Sequence, residues 1–358
     1  MYTNVTNKKI AFVVGRLGGG GAERVLMLLA DAFHEHSYDV TIVAYTEYQQ
    51  EYSTNCKIVK LNPTDTALSK FQQVAVLRKA LKEIDADVVI SFEYPLNMKT
   101  ILAAFGLKSK VIVSERNDPN EINNRKKLKI ARDLLYRICD TLVCQTYDAK
   151  EYFSKKIQKK SVVIANPVKR DLPIWNLFDS NEYIINFCRL EKQKNIPLLI
   201  DAFAGFVKEY PNYKLIIYGE GSEKSNIIEK IKSENLQSVI EIRDFSLGVH
   251  QAASKSRMFV STSDYEGLSN SMLEAMAMGM PVICTDCRIG GAKMMIKNNE
   301  NGILVPCGNS LMVLNAMKSI AADPAFAKKL GEEALHVREN LDLNNVFKKW
   351  EMIIHSKL

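Results

Sequence analysis

Residues 258–286 read MFVSTSDYEGLSNSMLEAMAMGMPVICTD, and the order of residue types in this stretch decides the fold. An apolar run, 258–262, ends at Ser263, and a turn follows through Gly267. Ser269 and Asn270 then supply a helix cap, and the helix they open stops before a second apolar run, 281–286. Two strands with a helix between them are the repeating element of a parallel sheet covered by helices on both faces.

The same alternation extends outward in both directions. Before the midpoint, strands are expected at 9–14, 39–44, 56–61, 87–92, 110–115, 141–146 and 161–166, and after it at 182–188, 213–219, 238–243, 258–262, 281–286 and 302–306. Between the two series the pattern pauses at Asn166-Pro167-Val168, and the irregular segment to about 180 reads as a linker. The expected architecture is α/β, with two Rossmann-like parallel-sheet domains facing a cleft. Their ranges are 1–168 and 169–339. The tail from about 340 to 358 is helical in pattern, with Val346, Trp350 and Ile353 at helical spacing, and is expected to cross back onto the first domain.

Composition sets the class. The chain has 358 residues, 47% of them hydrophobic and 25% charged, which is ordinary for a globular protein of about two domains. The net charge of +7 is unevenly placed. Residues 1–168 hold 25 basic and 18 acidic groups, whereas the remainder holds 23 of each. Any anionic partner should therefore meet the first half. Seven scattered cysteines suit reduced thiols and a cytoplasmic setting rather than a disulfide framework. No uncharged run approaches the ~18 residues of a spanning helix, so contact with a membrane would be peripheral. Asp85-Ala86-Asp87 precedes a strand instead of following one and reads as a helix exit. The histidines lack ligand spacing, so no metal is expected.

Ligands of open α/β sheets bind beyond the carboxyl ends of strands. Two such loops stand out. Gly18-Gly19-Gly20-Gly21-Ala22-Glu23 opens a helix after the first strand, and its glycines let backbone N–H groups approach a ligand; the third glycine of a dinucleotide fingerprint is missing. In the second loop, Glu266 and Glu274 stand eight apart, one on the loop and one in the helix. Near that helix N-terminus, carboxylates can hold sugar or ribose hydroxyls, while the N–H groups of Asn270 and Ser271 can take phosphate oxygens.

With Glu266 and Glu274 meeting a Glu-x7-Glu motif inside EGLSNSMLEAMAMGMPVI, the sequence resembles the retaining glycosyltransferases of family 4, which adopt the GT-B fold. The resemblance extends through GGGGAERV, SERNDP (114–119), NPV (166–168), RLEKQKN (189–195), YGEG (218–221) and NGILVP (301–306). It implies transfer of a sugar from a nucleotide diphosphate donor, with UDP-sugars favoured, held mainly by the second domain. The acceptor, a glycan or polyprenyl-diphosphate-linked oligosaccharide, would be held mainly by the first. By the same resemblance Arg189 and Lys194 contact the donor diphosphate, Glu266 lies by the transferred sugar and Glu274 binds the ribose. Gly19, Gly20, Gly219, Leu268, Ser269, Asn270 and Ser271 complete the donor side. No cofactor is implied. Three positions depart from the family pattern: Cys188, the run Gly290-Gly291-Ala292-Lys293, and Arg116-Asn117-Asp118. On the acceptor side Glu115, Asn117 and Asp118 are candidates, although Asp118 or Glu115 could simply cap the helix after Pro119.

Two other functions share parts of this pattern: a sugar-nucleotide epimerase of the same fold and a non-catalytic nucleotide-sugar-binding subunit. Nucleic acid is not an expected partner. Residues 125–138, RKKLKIARDLLYRI, carry six basic groups against Asp133 alone. On a helix Leu128, Ala131, Leu135 and Ile138 form an apolar stripe with Lys126, Lys129, Arg132 and Arg137 mostly off it. Arg125 to Ile138 is therefore expected to contact an anionic membrane, placing the protein on the cytoplasmic face of the plasma membrane.

Overall fold

The computed structural model describes residues 8–18, 20–46, 53–62, 67–245 and 248–356. The chain forms two compact units: one runs up to Pro167 and takes in the segment from Leu343 onward, and the other is Val168–Asp342. The boundaries thus fall one to three residues from those read in the sequence.

Among the described residues the first unit is built on β1 (Lys9–Arg16), β2 (Asp39–Thr46), β3 (Lys57–Lys60), β4 (Val88–Phe92), β5 (Lys110–Glu115), β6 (Thr141–Cys144) and β7 (Ser161–Val163). All pair in parallel in the order β3-β2-β1-β4-β5-β6-β7. The second unit has β8 (Asn181–Phe187), β9 (Lys214–Tyr218), β10 (Ile240–Arg243), β11 (Ser256–Ser261), β12 (Val282–Thr285) and β13 (Ile303–Val305), in the order β10-β9-β8-β11-β12-β13. Every strand falls on one of the thirteen apolar runs. In both sheets the strand order reverses beside the first strand of the unit, leaving a crevice at the carboxyl ends of β1 and β4, and again of β8 and β11.

Helices cover the sheets through stripes spaced three and four residues apart. In helix Gly21–Glu35 the buried residues include Val25, Leu26, Leu29, Ala30 and Phe33. The Met-rich stretch after Ser271 is core as well: Met272, Met276, Met278 and Met280 are all buried. Helix Leu343–His355 packs on the first unit, with Val346, Phe347, Trp350 and Ile354 inside its core. Phe347 packs at a tilt against Phe33 with ring centroids 4.7 Å apart, and Trp350 against Phe92 at 5.7 Å. Lys110 Nζ ties the helix end by donating to the carbonyls of Ile353 and Ser356, both at 2.6 Å.

The segment expected to be a linker is instead part of the second unit. Leu172, Trp175 and Leu177 are buried. Trp175 donates its backbone N–H to Met278 O at 2.8 Å and its indole N–H to Ser256 O at 2.7 Å. Its proline, Pro173, and lack of periodicity hide an anchoring role that burial of one aromatic supplies.

A polar network lies inside the first unit. Glu115, at the end of β5, is buried and accepts from Tyr136 Oη at 3.0 Å; Asn97 Nδ2 donates to Tyr136 Oη at 3.0 Å, and Ser91 Oγ to Asn97 Oδ1 at 2.8 Å. Arg132 is fully buried rather than solvated, and its guanidinium reaches Pro119 O and Asp133 Oδ1, each at 2.9 Å. Burial pushes the Glu115 carboxyl up to about 7, against the opposing pull of Arg132.

Two outcomes follow from this packing. Trp350→Ala should destabilise the first unit by about 3–5 kcal/mol, the cost of emptying a large buried aromatic site, measured by urea unfolding; an unchanged midpoint would contradict the docking of the tail. For Glu115 the folded state binds its proton more tightly than the unfolded chain. Its contribution to stability is therefore complete below about pH 4 and lost as pH rises through about 7. Glu115→Gln should remove up to about 3 kcal/mol of that decline between pH 5 and 8, whereas parallel pH profiles of variant and wild type would show that the carboxyl is ionised throughout.

Candidate functional site

In the second unit the loops after β8 and β11 leave adjacent strands at the reversal point. Cys188 N donates to Tyr218 O at 3.0 Å and Leu190 N to Glu220 O at 2.7 Å, laying the first loop on the backbone that follows β9. A Cβ at Gly219 would collide with Cys188 O, and one at Gly221 with Leu190 O. The YGEG stretch is glycine-rich for this reason: two main chains touch there. Gly219 thus acts on the site through the loop that bears Arg189. Arg189 is exposed, and its side chain forms no ion pair or hydrogen bond among the described residues.

Asn195 turns the loop with a φ of 44° and caps helix Ile196–Phe206. This turn brings Lys194 to Glu266, with which it forms an ion pair. Burial alone would lower the Lys194 pKa, but the adjacent carboxylate outweighs it and the net shift is upward. Glu266 also accepts from Ser263 Oγ at 3.0 Å and Gln193 Nε2 at 3.3 Å. Gln193 Nε2 donates to Tyr265 O at 2.7 Å, Asn195 Nδ2 to Asp264 Oδ1 at 2.8 Å, and Thr262 Oγ1 to Asn195 O at 3.0 Å. The two loops are therefore one rigid piece. Sequence reasoning misses Gln193 and Asn195, because nothing local marks a side chain whose partner lies about seventy residues away; it also misses Ser263, whose partner is only three residues on, because a serine before a turn carries no distinguishing signal.

Ser269 caps helix Asn270–Ala277 by accepting from Met272 N, so Ser269, Asn270 and Ser271 surround its half-buried N-terminus. Leu268 is buried and supports that turn. A Cβ at Gly291 would strike Gly267 O, so the unusual Gly290-Gly291 pair lets helix Gly291–Met295 back directly onto the loop. Glu274 lies deep in the helix, 3% exposed, with His250 Nε2 at 2.9 Å from its Oε2. The structure thus joins Lys194 to Glu266 at the switch point, with exposed Arg189 on the same loop as Lys194 and the capped helix that carries buried Glu274 following the loop of Glu266.

In the first unit, Gly20 is the N-cap of helix Gly21–Glu35; a Cβ there would meet the Glu23 carboxylate, which folds over it. Gly19 lies outside the described residues. A cavity of about 540 Å³ opens beside this turn at the reversal of the first sheet. Its lining includes Val14, Glu23, Tyr45, Phe92, Glu93 and Lys99. Glu93 holds a φ of 71°, unusual for a residue with a side chain. Lys99 Nζ lies 5.2 Å from the Tyr45 ring centroid, and burial followed by repulsion from Lys70 lowers its pKa. The acceptor-side candidates fall beside this cavity's lining rather than in it. Glu115 belongs to the buried network, Asp118 caps the turn Pro119–Ile122 by accepting from Asn120 N at 2.8 Å, and Asn117 Nδ2 donates to Glu121 at 3.0 Å.

Two family models match: Glycosyltransferase Family 4 over residues 19–172 and Glycosyl transferases group 1 over residues 168–337. A Campylobacter jejuni protein described as GalNAc-alpha-(1->4)-GalNAc-alpha-(1->3)-diNAcBac-PP-undecaprenol alpha-1,4-N-acetyl-D-galactosaminyltransferase is 27% identical over 97% of this chain and 98% of its own. The amylovoran biosynthesis glycosyltransferase AmsD of Erwinia amylovora is 24% identical over 97% and 99%. Among solved structures, HepE of Anabaena in complex with UDP and glucose superposes with a TM-score of 0.84 at 17% identity, covering 98% of this chain and 100% of that one. Such a likeness establishes the shared GT-B fold. With the two models together spanning residues 19–337, the chain belongs to the glycosyltransferases of group 1 and family 4.

Proposed function

We propose that this protein moves a sugar from a nucleotide diphosphate sugar, with UDP-sugars favoured, to a glycan or lipid-linked oligosaccharide, retaining the anomeric configuration, in surface polysaccharide or glycan assembly. The observation that carries this reading is the rigid Lys194–Glu266 pair at the switch point of the second sheet. As the bond from the sugar to the diphosphate breaks, negative charge grows on the leaving phosphate. Arg189 and Lys194 oppose that charge, and Lys194 needs no reorganisation because Glu266 already holds it. Glu266 itself accepts hydrogen bonds and is suited to the hydroxyls of the transferred sugar. Two cations supply the neutralisation, so turnover is proposed to require no metal and to survive excess chelator. The solved complexes of HepE with UDP-glucose and with UDP support the preferred nucleotide.

The acceptor is proposed to enter the cavity of the first unit. Lys99, with Lys70 near it, suits a phosphate-bearing acceptor, and the apolar walls suit sugar ring faces. The name of the Campylobacter relative specifies a PP-undecaprenol acceptor, which supports a membrane-linked substrate. No helix among the described residues is long and apolar enough to cross a membrane. Helix Lys126–Tyr136 offers a peripheral contact, but its faces differ from the sequence expectation. Leu128, Ala131 and Leu135 are half-buried and Arg132 points inward, whereas Ile130, Leu134 and Ile138 are 60%, 53% and 53% exposed beside Lys126, Lys127 and Arg137. The apolar residues that would enter the headgroup region are therefore Ile130, Leu134 and Ile138.

Arg189→Ala and Lys194→Ala should each lose about 2–4 kcal/mol of transition-state stabilisation, read as kcat at saturating donor with acceptor present and nucleotide diphosphate release as the assay. Wild-type turnover in either variant would remove the diphosphate assignment, and release without acceptor dependence would favour a different reaction. The intact protein should co-sediment with anionic vesicles at low salt and detach at high salt. Replacing Ile130 and Leu134 by Glu should abolish that binding; retention by the variant, or no binding by the wild type, would refute the membrane face.

A further inference from the structure

His250 lies in the short helix Val249–Ser254 beyond β10, 8% exposed, in a stretch of sequence with no motif. Its ring stands edge-on to Phe187, the last residue of β8, with centroids 5.9 Å apart and planes at 77°. Its Nε2 is 2.9 Å from Glu274 Oε2. With Glu274 ionised, its oxygens offer only lone pairs and Nε2 is the donor in this contact. Three separate segments of chain therefore fix one carboxylate: Phe187 from β8 sets the ring plane, His250 sets one oxygen, and the capped helix sets the Glu274 backbone. A buried glutamate on a helix of ordinary core residues needs no such aim for packing alone, and an unheld carboxylate would lose rotamer freedom on meeting a ligand.

We propose that His250 is a positioning residue for nucleotide binding: by donating from Nε2 to Glu274 it holds the carboxylate in the plane that receives the two ribose hydroxyls of the donor nucleotide. This rests on the reading of Glu274 as the ribose-binding carboxylate. The role is local to the diol. His250 contributes to the affinity of a ribonucleotide and contributes nothing to that of a nucleotide lacking the 2′ and 3′ hydroxyls, because the latter does not use Glu274.

The test is calorimetric titration of the full chain with UDP and with 2′,3′-dideoxy-UDP. His250→Phe keeps a ring against Phe187 and removes the donor, whereas His250→Gln retains a donor near the position of Nε2. The account expects His250→Phe to weaken UDP about tenfold, which corresponds to about 1.4 kcal/mol, while dideoxy-UDP binds as it does to wild type, and it expects His250→Gln to restore most of the UDP affinity. Equal weakening of both nucleotides in His250→Phe, or unchanged affinity for both, overturns the proposal. If His250→Phe does not fold, His250→Leu, which also removes the donor, decides: loss of the wild-type preference for UDP over dideoxy-UDP supports the role, and its retention overturns it. Glu274→Gln separates the two levels of the reading. If that variant keeps the wild-type preference, the ribose assignment itself fails; if it loses the preference while His250→Phe keeps it, only the positioning role fails.

Discussion

The ion pair between Lys194 and Glu266 depends on one topological constraint. The residues are seventy-two apart in sequence, but β8 and β11 are hydrogen-bonded neighbours in a parallel sheet whose strand order reverses beside β8. Parallel strands deliver their following loops to the same edge, and the reversal sends the helices after them to opposite faces. The loops are left lying against each other with their side chains and amides unclaimed by the sheet. Everything proposed for the second unit is built on that adjacency, from the Gln193 and Ser263 contacts to Glu266 to the capped helix that carries Glu274.

Close approach of backbone to backbone supports each of the two loops from behind. Gly219, Gly221 and Gly291 each stand where a Cβ would strike a carbonyl oxygen of the neighbouring loop, at Cys188, Leu190 and Gly267 respectively. A side chain at Gly219 or Gly221 would push the loop that bears Arg189 and Lys194 off the backbone after β9, and one at Gly291 would push helix Gly291–Met295 off the loop that bears Glu266. Preorganisation of this kind matters because a cation that must move to meet developing charge gives back part of its stabilisation in reorganisation.

Much of this was legible in the sequence because parallel sheets buried on both faces require continuous apolar runs, and such runs are visible without alignment. The thirteen strands and the amphipathic tail around Trp350 are of this type. The candidate residues after β8 and β11 were legible through motif order combined with the rule that chemistry lies at strand ends. What stayed hidden depends on partners distant in the chain. Segment 169–180 looks like a linker until Trp175 is seen donating to Met278 and Ser256. Arg132 reads as a solvated charge because residue type predicts exposure, yet Asp133, Pro119 and Tyr152 give its guanidinium enough partners to be buried. Its inward turn rotates the helix and brings Ile130 and Leu134 to the surface. Glu115 likewise ends a strand in the place expected of a ligand contact but spends its carboxylate on Tyr136, and His250 has no sequence neighbour to betray its pairing with Glu274.

The central claim is that the switch point of the second sheet holds the donor nucleotide. A crystal structure of the protein with UDP bound tests it most directly. The account predicts the terminal phosphate within hydrogen-bonding distance of Arg189 and Lys194 and the ribose hydroxyls on Glu274. A nucleotide seated in the first unit against Gly20 and Glu23, with Arg189 and Lys194 left without a phosphate, would contradict it.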